Sequence, residues 1–500
     1  MEIKNIEYLG DYINGKFLVP QSPEEEISNA SPGDLKDHVY QGKVQYSHVG
    51  EAIESANFAY KKWKRTSYEE RKNLLLKLKE EYKKNIDLIA QSISRETGKP
   101  LWESTGEVNA MIGKIDITVN HSMELVQTVT HKEALPNVDG VIRFVSRGVM
   151  AVIGPFNFPG HLANGHIVPA LLTGNTVIFK PSEKTPLTGQ LMAQCFHDAG
   201  FPEGVFNLVQ GTVETGKRLV SDLNIDGVLF TGSYDVGLKI KQDTLSQHWK
   251  ILALEMGGKN TTIVWNDADL EKAVYETLVG SYLTSGQRCS CTSKVVLHEA
   301  IKEEFLDKFH SAAKKIKVGH WSESPFMGPL ISAESREKYI RFQEIAVREG
   351  AESLMRGKAL ELEREGYYIS PSINLVKQVD EKSVYQNNEI FGPNVAVYST
   401  QELEESFKIS NMGGYGLVSA IFTSDKAIFQ KALEELKVGL LNWNRTTNGA
   451  SSKLPFGGRG KSGNDRPSAH FAVNYCTVPV ASLEDHGTFD ASKTFPGLGY

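Results

Sequence analysis

Apolar positions repeat at spacings of three and four through the first hundred residues. Leu75, Leu78, Tyr82, Ile86, Ile89 and Ile93 fall on one helix face. Ser67-x-x-Glu70 has the form of a capping box that opens this helix, and Gly98 with Pro100 closes it. The pattern changes at Gly148. Short β-branched runs recur at 149–153, 176–180, 205–209, 227–230 and 251–254, each followed by Gly or Pro and then by a helix-like stretch. Strands joined in this way form βαβ units and a parallel sheet, and such sheets bind ligands at the carboxyl ends of their strands.

A second series follows, with a helix over 267–283, a strand at 294–298, an amphipathic helix over 301–316 and strands at 395–398 and 419–423. It predicts a second α/β domain. Segments 126–145 and 472–483 alternate instead and predict arm strands, which seek partners in another subunit. From Glu484 the chain is polar and predicts a loose tail.

Composition narrows the function classes. With 500 residues, 40% of them hydrophobic and 23% charged, the chain can bury a sizeable core. Fifty-five basic residues against 61 acidic ones argue against a nucleic-acid or anionic-membrane binder. No apolar run approaches the ~20 residues of a membrane span. The N-terminus has no apolar core of a signal peptide, so a cytoplasmic setting is expected. Four cysteines, Cys195, Cys289, Cys291 and Cys476, are too scattered for a disulfide scaffold and include no CxxC pair. No metal site is expected.

Candidate chemistry sits at the strand ends. Lys180-Pro181-Ser182-Glu183 follows one strand and could hydrogen-bond ribose hydroxyls. Gly232-Ser233-Tyr234-Asp235-Val236-Gly237 follows another and opens a helix, whose N-terminus favours anions such as pyrophosphate. Either segment also reads as an ordinary strand-to-helix turn. Glu255 stands before Gly257 and Gly258, where a carboxylate is free to swing as a general base or to sit in a plain turn. Arg288 precedes Cys289, and a thiol beside a cation can be a low-pKa nucleophile. Asn157, between Pro155 and Pro159, offers an amide donor at a locked turn. A thiol, a carboxylate and an amide donor suit thioester chemistry on a carbonyl. Gly458-x-Gly460-x-x-Gly463 matches a dinucleotide fingerprint in letters only: Pro467 leaves no room for the following helix, so a closely packed loop is expected.

Together these segments resemble the aldehyde dehydrogenase superfamily, collinearly from about Trp63 to Ser482. The marks are Asn157-Phe158-Pro159, Lys180-Pro181-Ser182-Glu183, Phe230-Thr231-Gly232-Ser233, Glu255-Met256-Gly257-Gly258-Lys259, Gly286-Gln287-Arg288-Cys289, Glu389-Ile390-Phe391-Gly392-Pro393 and Pro455-Phe456-Gly457-Gly458. The run from Gly154 to Ala170, with Asn442-Trp443-Asn444, Gly449-Ala450-Ser451-Ser452 and Gly463-Asn464-Asp465-Arg466-Pro467-Ser468-Ala469, resembles a subfamily acting on N-succinylglutamate 5-semialdehyde.

The resemblance implies two Rossmann-like parallel-sheet α/β domains plus a small β oligomerisation arm. It implies an NAD-binding domain over 1–125 and 148–257, a catalytic thiol domain over 258–450, and an arm from 126–147 and 470–490. It implies Cys289 as nucleophile, Glu255 as base and Asn157 as oxyanion donor. NAD would be held by Lys180, Ser182, Glu183, Gly232, Ser233, Tyr234, Asp235, Val236, Gly237, Glu389 and Phe391. The partners implied are a small semialdehyde and further copies of the chain, as a homodimer or dimer of dimers, with neither nucleic acid nor membrane. Arg288, Arg445 and Arg466 are candidates for the substrate's carboxylates. Glutamate or succinate semialdehyde as substrate, and a non-catalytic member of the fold, are the alternatives.

Overall fold

In the computed structural model, residues 6–498 are described, apart from the side chain of residue 493. The start of the chain at Met1, on which the signal-peptide expectation rests, lies outside them. The first large sheet runs Ile251–Glu255, Gly227–Thr231, Val149–Ile153, Thr176–Lys180, Phe206–Leu208, Asp11–Ile13, Lys16–Leu18. The first five strands are parallel, and the last two add an antiparallel hairpin edge. Strands 149–153, 176–180 and 227–231 are buried along their whole length. That is why they read as continuous apolar runs rather than alternating ones.

The second large sheet runs Glu352–Met355, Ser372–Leu375, Asn394–Thr400, Thr292–His298, Asn260–Val264, Val418–Phe422, Leu440–Trp443. All its pairs are parallel except the first. A third, antiparallel sheet joins Thr477–Asp485, Val138–Ser146 and Val129–Leu135.

Two segments differ from the periodicity. The stripe from Leu75 to Ile93 lies on two helices, Tyr68–Lys84 and Ile86–Thr97. Asn85 leaves helical geometry between them, and its side chain donates to the Glu81 carbonyl. The capping box at Ser67 and Glu70 forms with both bonds present, and Gly98 ends the second helix at φ 76°. Segment 472–483 is not strand throughout. Ala472–Tyr475 is a helical turn, and the strand begins at Thr477. Ala472, Tyr475 and Cys476 are buried in the core under the first sheet, and helical spacing lets them point the same way.

Candidate active site

In the first sheet the chain proceeds outward from Val149–Ile153 through Thr176–Lys180 to Phe206–Leu208. It then returns to place Gly227–Thr231 on the other side of Val149–Ile153. The order therefore reverses between those two strands, and ligands bind at the carboxyl ends of such a switch point. Glu255 ends the last strand of this sheet and Asn260 begins the second sheet. Only residues 256–259 cross between them. A cavity of about 860 Å³ opens at this seam.

The cavity is lined by Asn157, Lys180, Ser182, Glu183, Gly232, Ser233, Asp235, Val236, Glu255, Cys289, Glu389 and Phe391. These come from turns up to 234 residues apart in sequence, counting from Asn157 to Phe391 (391 − 157). Tyr234 and Gly237 stand outside the lining, contrary to expectation. The Tyr234 ring lies under the Lys461 ammonium. A Cβ on Gly237 would come within 2.4 Å of Met256 Sδ, so this glycine serves helix-to-strand packing.

The loop carrying Cys289 is held in an uncommon backbone path. Thr284 and Ser285 adopt φ 54° and 55°, where residues with a Cβ are rare. Gly286 follows at φ 70°, and a Cβ there would lie 2.3 Å from the Gly392 backbone. Asn260 donates from Nδ2 to the carbonyls of Cys289 (2.6 Å) and Cys291 (2.9 Å), while its Oδ1 accepts from Val418 N. Asn157 donates from Nδ2 to the Gln287 carbonyl at 2.9 Å. An amide nitrogen carries two hydrogens, so one remains for a substrate oxygen beside the thiol.

Arg288 does not act on the thiol as the sequence suggested. It turns back to Glu103 (2.8 Å) and to Thr284 Oγ1 (2.6 Å), with its guanidinium 4.8 Å from the Phe158 ring centre. Burial pushes the Cys289 thiol up to about 12, and the Glu389 and Glu255 carboxylates add to this, while Arg288 opposes only weakly. The thiol is therefore protonated at neutral pH and needs a base.

Glu255 can be that base. Burial raises its pKa well above the carboxylate range, against a small opposing effect from the Ser468 backbone. Its Oε2 is buried and has no hydrogen-bond partner. Glu389 is likewise raised by burial, to about 7, and its Oε1 accepts from Gly258 N at 2.7 Å. A Cβ on Gly257 would sit 2.1 Å from Glu389 Oε2. The glycines beside Glu255 thus make room for the second carboxylate.

The far end of the cavity fits a dinucleotide. Lys180 is buried and its Nζ donates to the Pro181 carbonyl. Gly232 is not the free donor the motif implied, because its N–H donates to the Glu255 carbonyl at 3.0 Å. Ser233 caps helix Tyr234–Asp243 by accepting from Val236 N. The first-turn N–H groups of Tyr234 and Asp235 are the ones left facing an anion. The glycine-rich segment 458–463 packs against this strand end, with the Ser462 carbonyl accepting from Met256 N and Gly463 bridging Glu255. No helix follows it.

The pattern of the aldehyde dehydrogenase family matches residues 18–480. The chain belongs to the aldehyde dehydrogenase family. It is 38% identical to an N-succinylglutamate 5-semialdehyde dehydrogenase of Legionella pneumophila (strain Corby), over 99% of each chain. A protein of the same name from Serratia proteamaculans (strain 568) is 38% identical, over 98% of this chain and 99% of that one. Among solved structures, the 1-pyrroline-5-carboxylate dehydrogenase from Thermus with bound NAD superposes with a TM-score of 0.89 at 30% identity, covering 95% of this chain and 93% of that one.

For a member of this family the seam is the place to look, yet several of its residues carry no local signal. Asn260 directly follows the Glu255 motif and was within reach of sequence reasoning. Glu103 and Thr284, which hold Arg288, were not. Thr212, Val213, Gly216 and Lys217 also line the cavity, after strand Phe206–Leu208. The rule that ligands sit past strand ends points there. Of the arginines proposed for carboxylates, Arg288 is already paired. Arg445 and Arg466 are exposed and do not line the cavity.

Proposed function

We propose that this chain oxidises N-succinyl-L-glutamate 5-semialdehyde to N-succinyl-L-glutamate with NAD as hydride acceptor. One observation carries the chemistry: a thiol, an unpartnered buried carboxylate and an amide donor share one cavity with a dinucleotide-type strand-end crevice. Two relatives of that name, similar over the full length, support the substrate.

Cys289 Sγ attacks the aldehyde carbon after giving up its proton to Glu255. The free hydrogen of Asn157 Nδ2 and the Cys289 backbone N–H hold the oxyanion. Bound NAD supplies the hydride acceptor. Glu255 then takes a proton from the water that cleaves the Cys289 thioester. Lys180, Ser182 and Glu183 hold the adenosine ribose, the turn from Gly232 to Val236 meets the pyrophosphate, and Glu389 with Phe391 positions the nicotinamide ribose. Glu183 repels a 2′-phosphate and so selects NAD over NADP.

Residues 1–125 and 148–257 form the dinucleotide domain, 258–450 the thiol domain, and 126–147 with 470–490 an arm that pairs subunits in a dimer or dimer of dimers. The enzyme works in the cytoplasm. The deciding experiment is a kinetic panel of N-succinylglutamate, glutamate and succinate semialdehydes with NAD and NADP. The first substrate with NAD should give the highest kcat/KM. A higher value for another semialdehyde overturns the substrate, and equal use of NADP overturns the role of Glu183.

A further inference from the structure

Two polar groups at the acyl side of the cavity have no part in the steps above. Lys114, on helix Leu101–Asn120, is 1% exposed and lines the cavity. Its Nζ has one acceptor, the Ala469 carbonyl at 2.7 Å. No carboxylate lies within ion-pair reach of it among the described residues. An ammonium has three donors, so two are unspent. The neighbouring cations are matched: Lys99 pairs with Glu107, and Arg288 with Glu103. Lys114 alone lacks a counter-charge, and buried charges are otherwise paired.

His161, the first residue of helix His161–Leu172, also lines the cavity. Its Nδ1 is buried and neither ring nitrogen has a partner among the described residues. Burial, with Lys114 and Lys99 nearby, lowers its pKa to about 4, so the ring is neutral and keeps one N–H donor. His161 stands four residues beyond Asn157, and Ala469 is next to Ser468, whose backbone faces Glu255. Both groups therefore border the reacting end, away from Lys180 and Glu183.

We propose that Lys114 and His161 form a carboxylate-binding site for the acyl chain of the substrate. The Lys114 ammonium pairs with a carboxylate of the aldehyde, and the His161 ring donates a hydrogen bond to it. The proposal rests on the semialdehyde reading. It also supplies the cation that Arg288, Arg445 and Arg466 do not.

The test compares N-succinylglutamate semialdehyde with butanal at saturating NAD. Lys114→Met should raise KM for the semialdehyde about tenfold or more while kcat changes by less than about threefold. The selectivity for semialdehyde over butanal should fall about tenfold, Lys114→Arg should recover most of it, and His161→Leu should lower it about threefold or more. An equal loss on both aldehydes, or an unchanged semialdehyde KM, overturns the site. If Lys114→Met fails to fold by thermal melting, Lys114→Gln and His161→Leu carry the same comparison. A wild-type preference for another carboxylated semialdehyde overturns the substrate reading alone, and the selectivity ratio is then read on that substrate.

Discussion

Cys289 lies nearer to carboxylates than to any free cation, and this decides how its reactivity must arise. A thiol pushed up to about 12 is a poor nucleophile until a base takes its proton. Glu255 is suited to do so because its own pKa is raised. The sign follows directly. A raised pKa keeps Glu255 protonated and inactive as a base until the pH passes that raised value. The rate of aldehyde oxidation should therefore climb through a limb that lies above the ordinary carboxylate range, and Glu255→Gln should remove that limb along with most of the turnover. A pH–rate profile that is flat above pH 5 would rule Glu255 out. Cys289→Ala should abolish NADH formation while NAD still binds, as titration of the variant with NAD would show. Asn157→Ala should leave KM nearly unchanged and cut kcat by ~10²–10³, or ~3–4 kcal/mol, the cost of losing one oxyanion donor.

Strands and turns were more legible than the contacts that hold them. The runs at 149–153 and 176–180 could be read because buried parallel strands are continuously apolar and end in Gly or Pro. The same periodicity passed through Asn85 without a break, since the side-chain bond that ends one helix and starts the next leaves no mark in the apolar spacing. The thiol loop shows the sharper limit. Gly286-Gln287-Arg288-Cys289 was visible as letters, but the left-handed Thr284 and Ser285 were not, because neither residue type favours that conformation on its own. What imposes it is distant: Glu103 on Arg288 and Thr284, and Asn260 on the Cys289 carbonyl. Asn260→Ala should leave two buried carbonyls unpaired, a cost of ~1–3 kcal/mol each at most. The expected outcome is a lower Tm together with a kcat loss that added NAD does not restore. A variant with wild-type kcat and Tm would show that the loop holds itself.

At the scale of the whole molecule, the two large sheets meet at 255–260, while the third sheet carries no cavity-lining residue. That sheet is instead rich in exposed apolar side chains: Val129, Leu135, Val145, Val480 and Leu483, the last 66% exposed. Strand Thr477–Asp485 pairs with Val138–Ser146 over nine residues and has its other edge open. An open edge beside apolar side chains is costly in water and is normally covered. A second copy of the same chain covers it by continuing the sheet, and closed symmetry then makes the contact reciprocal. Light scattering should give a mass that is two or four times 55.4 kDa. The double variant Val480→Lys, Leu483→Lys should shift that mass towards 55.4 kDa, because two ammonium groups per chain would be brought together across the join. A wild-type mass of one chain at micromolar concentration would remove the arm's role. A variant mass equal to that of an assembled wild type would move the contact to another face.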